Sequence, residues 1–280
     1  MSGALSCGPV RVQVGRQTLL DTPALAFQPG QVSAILGPNG AGKSTLLSVL
    51  GGQRRPDRGE VRLGDMPLHA HSADGLARRR ALMAQDTQVA FGFSVREVVE
   101  LGRYPHRGCP SADEADIVRA ALRATQTEAH ADRDVNTLSG GERARTHLAR
   151  ALAQIWHPPA GGGSRWLLLD EPTAALDLRH QHEVLALARQ WAAGQDVGVL
   201  AVLHDTNLAL RYADVAVVMA AGQVVAQGAV REVLAPATLG QVWNVDATPV
   251  CHPDGTPQLL VSPREPGHTP PLLVQGGSLS

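Results

Sequence analysis

Ser33-Ala34-Ile35-Leu36 runs directly into Gly37-Pro38-Asn39-Gly40-Ala41-Gly42-Lys43-Ser44-Thr45, and Leu46 to Leu50 continues from there. The first four residues form a short, mostly apolar run of strand type, while the apolar spacing from Lys43 to Leu50 is that of a helix. The segment from Gly37 to Ser44 matches the phosphate-loop pattern. Its glycines let backbone N–H groups turn inward around phosphate oxygens, and the start of the following helix adds its positive end. In such a loop Lys43 reaches the β- and γ-phosphates and the Ser44 hydroxyl ligates magnesium. A glycine-rich turn that binds nothing is the competing reading, and the flanking strand and helix count against it. Strand, loop and helix in this order open a parallel α/β layout.

Composition sharpens position 43. Of 25 basic residues, all but Lys43 are arginine. Position 43 therefore needs a compact point charge on a thin stem rather than a planar fork. The rest of the composition sets bounds. The 280 residues suit one large domain or one and a half small ones, and 44% hydrophobic residues supply a sizeable core. A net charge of -1 gives no sign of a nucleic-acid surface. No apolar run approaches the ~20 residues of a membrane span. Met1 to Arg11 lacks the layout of a secretion signal, so the expectation is a cytoplasmic protein that meets membrane only through a partner. Cys7, Cys109 and Cys251 are dispersed and form no CxxC pair, which argues against a disulfide framework or a zinc site.

Upstream of the loop, Val10 to Leu36 reads as short strands with turns at Gly15-Arg16 and Pro29-Gly30. Glu60 to Leu68 returns to short strands. Ser94 to Ala153 is helical in spacing, broken at Pro105, Gly108 and Pro110, and reads as a helical insertion. Buried strands follow at Trp166 to Leu169 and Val199 to Leu203, with a helix from about Arg179 to Ala193 between them. Such apolar strands separated by helices fit a parallel sheet covered on both faces. Ala213 to Ala226 reads as a hairpin turning at Ala221-Gly222, and Val230 to Leu234 as a short helix. Beyond about Asp246 the chain is rich in Pro, Gly, Ser and Thr and is expected to be extended or mobile.

Two further motifs bear on chemistry. Asp170-Glu171 closes the strand that begins at Trp166, and ligands gather at the C-terminal ends of such strands. Asp170 would hold magnesium through its water shell, and Glu171 would orient and deprotonate an attacking water. Alone, the pair could equally be a helix cap. Leu138-Ser139-Gly140-Gly141-Glu142 opens a long helix, with Ser139 and Glu142 in the capping-box spacing. Alone this is only a cap. Read with the other motifs it is an anion-binding helix start aimed at a second nucleotide.

Taken together, these residues resemble the ATPase subunits of ABC transporters over about residues 8 to 245. The resemblance implies a P-loop NTPase cassette: an α/β fold with a parallel-sheet core, an antiparallel β subdomain and an inserted helical subdomain. It implies one ATP-binding domain at 1–246, holding the helical subdomain at about 86–155, and an extended tail at 247–280. Gln85 matches the glutamine that links magnesium and water to the helical subdomain. Asp177, in Ala175-Leu176-Asp177, matches the loop that contacts the opposite subunit, and His204 matches the switch histidine at the γ-phosphate. ATP and Mg2+ are then the cofactors, and Ser139 to Glu142 act on ATP held by the other copy. The implied assembly is a homodimer beneath a transmembrane permease dimer, peripheral at the cytoplasmic face of the inner membrane, without nucleic acid. Residues near Gln85 and from Phe91 to Arg103 would form the permease groove.

Val95 to His106, which holds Leu101-Gly102-Arg103-Tyr104-Pro105-His106, looks like a segment of importer ATPases for iron-siderophore, cobalamin and haem uptake. The Pro/Gly-rich insert Pro158 to Ser164 and the stretches at 149–154, 176–182 and 200–212 are most similar to the haem importers. Haem import, served by a periplasmic or surface haem-binding protein through the permease, is the expectation. Cobalamin or ferric-siderophore import is the alternative, as is a soluble ABC ATPase such as one for iron–sulfur cluster assembly. Three departures stand out. Val14 occupies the place of an adenine-stacking aromatic, Glu142 replaces the commoner glutamine, and Ala174 stands where serine is frequent. The histidines offer little: His180 and His182 are two apart on a helix and face differently. His69 and His71 read as solvated, His106 near Cys109-Pro110 as a weak haem-site candidate, and Arg78-Arg79-Arg80 as a solvated helix end.

Overall fold

The mostly apolar runs at 32–36, 166–169 and 197–202 are buried from end to end, as a sheet packed on both faces requires. The computed structural model describes residues 3–84, 92–159 and 161–264. Its strands are β1 (Leu5–Cys7), β2 (Val10–Val14), β3 (Gln17–Thr22), β4 (Leu25–Phe27), β5 (Val32–Leu36), β6 (Val61–Leu63), β7 (Met66–Pro67), β8 (Arg80–Met83), β9 (Arg165–Asp170), β10 (Val197–Val202), β11 (Val215–Ala220), β12 (Gln223–Ala229), β13 (Val245–Cys251) and β14 (Pro257–Pro263). Its helices are α1 (Lys43–Leu50), α2 (Ala73–Ala77), α3 (Val95–Leu101), α4 (Glu114–Ala124), α5 (Gly140–Gln154), α6 (Leu178–Gln195), α7 (Thr206–Tyr212), α8 (Val230–Val233) and α9 (Pro236–Trp243).

The main sheet runs β12-β11-β5-β10-β9-β8, parallel except for β12 at one edge. Alternate residues serve opposite faces, as the two-residue period of a strand requires. Val197, Val199 and Ala201 pack with α5 and α6 residues such as Leu148 and Leu185. Leu200 and Val202 pack with Leu46 and Leu50 of α1 on the other side. Trp166 lies in register with Gly198; a Cβ at 198 would stand 2.4 Å from the indole ring, so only glycine admits the tryptophan there. The pairing also sets one level for three strand ends, since Val202 lies opposite both Ile35 and Asp170. A second, antiparallel sheet runs β4-β1-β6-β7, and β2 and β3 form a hairpin of their own.

Helices α3, α4 and α5 share a separate core of Val95, Val98, Val99, Ile117, Val118, Ala121, Leu122 and Ala149. Ser94 starts α3 with a full capping box to Glu97, and Gly102 lets the end of α3 meet α5: a Cβ there would be 2.3 Å from the Arg150 carbonyl.

Three sequence expectations need correction. The arginine run is not a solvated helix end. Arg78 caps α2 and donates to the Pro105 carbonyl, Arg79 donates to the Gly162 carbonyl, and Arg80 begins β8, where burial lowers its pKa. His71 is not solvated either, since its Nε2 is buried. The Pro/Gly-rich segment after Asp246 folds as the antiparallel hairpin β13–β14, with Leu259 buried. Asn207 of α7 clamps it, donating to the Leu259 carbonyl at 3.1 Å and accepting from the Leu259 N–H at 2.8 Å. Arg211 adds an ion pair to Asp254 at 2.9 Å.

Candidate active site

Between β5 and α1 the chain turns through Gly37, Pro38, Asn39, Gly40, Ala41 and Gly42. Gly40 (φ 77°) and Gly42 (φ 93°) hold left-handed backbone that glycine adopts without strain. Gly37 lies against the strand beside it, where a Cβ would stand 2.2 Å from the Met219 carbonyl. The loop is sutured to the β11–β12 turn by Gly222 N–H donating to the Ala41 carbonyl at 3.1 Å. Its scaffold thus includes Met219 and Gly222, residues far away in sequence that carry no motif.

Lys43 is 5% exposed. Its Nζ donates to the Gly37 and Pro38 carbonyls at 2.9 and 3.1 Å, so the ammonium folds back into the loop. Burial lowers the Lys43 pKa, opposed by the charges of Glu171 and Asp170. Ser44 Oγ donates to Asp170 Oδ1 at 3.0 Å. Burial raises the Asp170 pKa, and the Ser44 hydrogen bond works against that rise. A hydroxyl and a carboxylate converging at one point are hard oxygen donors of the kind Mg2+ takes, with room left for its waters.

Glu171 follows at φ 51°, a left-handed residue at the strand end; such backbone costs a few kcal/mol at most and clusters at functional sites. Its Oε1 lies 2.7 Å from His204 Nε2. His204 leaves the end of β10, two residues past the level of Asp170. Asn39, Gly40, Ala41, Gly42, Lys43, Ser44, Thr45, Glu171 and His204 line one cavity of about 800 Å³, joined by Gln17 and Leu19. Val14 is 55% exposed and is not among the lining residues. Among the described residues, the lining holds no Phe, Tyr or Trp to stack on a base.

The Ser139 to Glu142 segment stands apart from this cavity. Ser139 caps α5, and its N–H and Oγ each donate to Glu142 Oε2 at 2.8 Å. Those hydrogen bonds hold the Glu142 carboxyl below its ordinary pKa. Gly140 and Gly141 pack close to Ala175 and Leu176. Asp177 caps α6, its Oδ1 accepting from the His180 N–H at 2.9 Å, and its side chain is 66% exposed. None of Ser139, Gly140, Gly141, Glu142 and Asp177 lines the cavity formed by the phosphate loop. Gln85, and Phe91 at the start of the expected permease groove, lie outside the described residues.

The histidines resolve as local contacts. His106 Nε2 bonds the Gln154 carbonyl at 2.8 Å, and His182 bonds the Tyr212 hydroxyl at 2.8 Å. Among the described residues no group of three His, Cys, Asp or Glu comes together to hold a metal, and no helix is long and apolar enough to cross a membrane.

A family model described as "ABC transporter" matches residues 20–174. The chain is 45% identical over 264 residues to the hemin import ATP-binding protein HmuV of Burkholderia cenocepacia (strain HI2424), covering 87% of this chain and 94% of that protein. HmuV of Escherichia coli O157:H7 is 44% identical over 87% of this chain and 93% of its own. HmuV of Rhodopseudomonas palustris (strain BisB5) is 43% identical over 93% and 98%. Among solved structures, a chain from an inward-facing metal-chelate type ABC transporter superposes with a TM-score of 0.77 at 25% identity, covering 94% of this chain and 98% of that one. An ATP-binding cassette in a dimeric, post-hydrolysis state with ADP and Pi superposes with a TM-score of 0.71 at 26% identity, covering 81% and 99%.

Proposed function

Because the chain belongs to the ABC transporter family of ATP-binding proteins, we propose that it is the ATP-hydrolysing subunit that drives hemin import through a partner permease. The observation that carries the motor reading is the convergence of Lys43, the Ser44–Asp170 pair and the Glu171–His204 pair around one cavity. The cargo rests on 43–45% identity to the HmuV proteins across about nine-tenths of the chain.

The chemistry follows from the chain's own groups. Backbone N–H groups from Gly40 to Thr45 and the start of α1 cradle the phosphates. Lys43 turns its ammonium from the two loop carbonyls to the β- and γ-phosphates. Ser44 and Asp170, with Gln85, hold Mg2+, which when bound draws charge from the phosphate oxygens. Glu171 takes the proton from the attacking water, and His204, hydrogen-bonded to it, orients Glu171 and faces the γ-phosphate. Ser139, Gly140, Gly141 and Glu142 act on the nucleotide of a second copy, with Asp177 at the contact. This division accounts for a helix start that stands outside its own chain's cavity. The working unit is a homodimer beneath a permease dimer, peripheral at the inner membrane, with a haem-binding protein delivering cargo on the far side.

The test is ATP hydrolysis in proteoliposomes holding this chain, its permease and a binding protein, with haem, cobalamin or a ferric siderophore supplied in turn. Stimulation by haem alone is expected. Stimulation by another cargo keeps the motor and removes hemin, and turnover indifferent to the permease removes the transporter.

A further inference from the structure

The replacement of the commoner glutamine by Glu142 has a structural counterpart. A carboxylate has two oxygens, and the cap occupies only one: Glu142 Oε2 takes both donors of Ser139. The other, Oε1, lies 3.1 Å from His130 Nε2. His130 ends the short helical turn Glu128–His130 between α4 and α5. Its Nδ1 lies 3.5 Å from Arg133 Nη1, a group that can only donate. That contact suits Nδ1 as an acceptor, which matches an Nε2–H donating to Glu142. Glu142 and His130 are half-buried, at 22% and 27% side-chain exposure, so their contact is partly screened.

We propose that His130 is a positioning residue for nucleotide binding in the dimer: it donates to the second oxygen of the Glu142 carboxylate, so that both oxygens are hydrogen-bonded where the Ser139 loop meets the partner's phosphates. The inference rests on the reading that Ser139 to Glu142 act on the nucleotide of the second copy. Its electrostatic reason is direct. A carboxylate at a helix start is favourable to the helix, but it faces the same phosphates that the helix start attracts. A glutamine carries no such charge and needs no such partner. Of the charges beside His130, Glu128 faces Arg123 at 3.5 Å and Asp132 faces Arg96 of α3 at 3.3 Å, while Arg133, against His130 Nδ1, also acts by its charge on the Glu142 carboxylate.

The test is steady-state ATP hydrolysis by the full chain assembled with its permease. His130→Ala raises the KM for ATP about fivefold to tenfold, the size of one partly desolvated charge-assisted hydrogen bond, with a smaller change in kcat. His130→Gln, which keeps an N–H donor at similar reach, recovers most of the loss. In a Glu142→Gln background, adding His130→Ala changes KM by less than about twofold, because the carboxylate that needs a second donor is gone. A purely structural role for His130 would give the same change in both backgrounds, and that result overturns the proposal. So does a His130→Ala protein with wild-type KM while Ser139→Ala loses turnover. If Ser139→Ala itself turns over normally, the reading of the Ser139 loop fails, and this inference falls with it.

Discussion

Lys43 shows how one side chain answers one geometric demand. It follows Gly42, where an added Cβ would stand 3.0 Å from the Leu19 carbonyl, and its ammonium folds back onto the Gly37 and Pro38 carbonyls. A guanidinium would need room for a planar fork with five donors, where the loop offers two carbonyls. Lys43→Arg, which keeps the charge, is therefore expected to lower kcat/KM for ATP about 100-fold, the scale of losing one aligned transition-state contact; a titration of turnover against ATP measures it. Glu171→Gln keeps size and hydrogen bonding to His204 but cannot accept a proton. Turnover is expected to fall about 100-fold or more while ATP still binds, and size-exclusion chromatography with ATP should then show an accumulated dimer. Wild-type turnover in this variant would remove Glu171 as the base.

At the scale of elements, the sequence was most legible where a local pattern fixes the backbone. Lys43–Leu50, the Ala221-Gly222 turn and both buried strands stand where the residues put them, because periodicity and glycine act within a few residues. The Ser139 and Ser94 capping boxes are equally local. The fold was illegible where partners are distant. Strand β8 is only four residues long, and its membership of the sheet depends on pairing with β9, where Arg80 meets Trp166, 86 positions later, a partner that local spacing cannot show. The β13–β14 hairpin carries Pro and Gly that read as unstructured, yet Asn207 supplies two hydrogen bonds from 52 residues away. Asn207→Ala is expected to remove about 1–2 kcal/mol of hairpin docking, lowering the melting temperature by about 2–4 °C. Hydrogen exchange at the Leu259 amide should quicken in the same variant. Since α7 begins at Thr206, just after His204, the docked hairpin also braces the strand end that bears the histidine.

For the whole molecule, the proposed division leaves one chain with two incomplete halves: a phosphate loop that lines a cavity, and a Ser139 helix start that is not part of its lining. Mixing tests this division. A Lys43→Ala chain and a Ser139→Ala chain should each be inactive as pure dimers. Their mixed dimer combines an intact phosphate loop from one with an intact Ser139 loop from the other, and activity is expected to return in part. Failure of the mixture to gain activity over either parent would place the whole site within one chain. The same loop leaves a mark on the outer surface. Apart from the amino terminus, the protein's only primary amine is the Lys43 ε-amine, 5% exposed and bonded to two carbonyls. Acylating reagents that coat most proteins find almost nothing to modify here, and the single internal target is reached through the nucleotide cavity. The mass added per chain on brief acylation therefore reports how many loops are empty, with no engineered label.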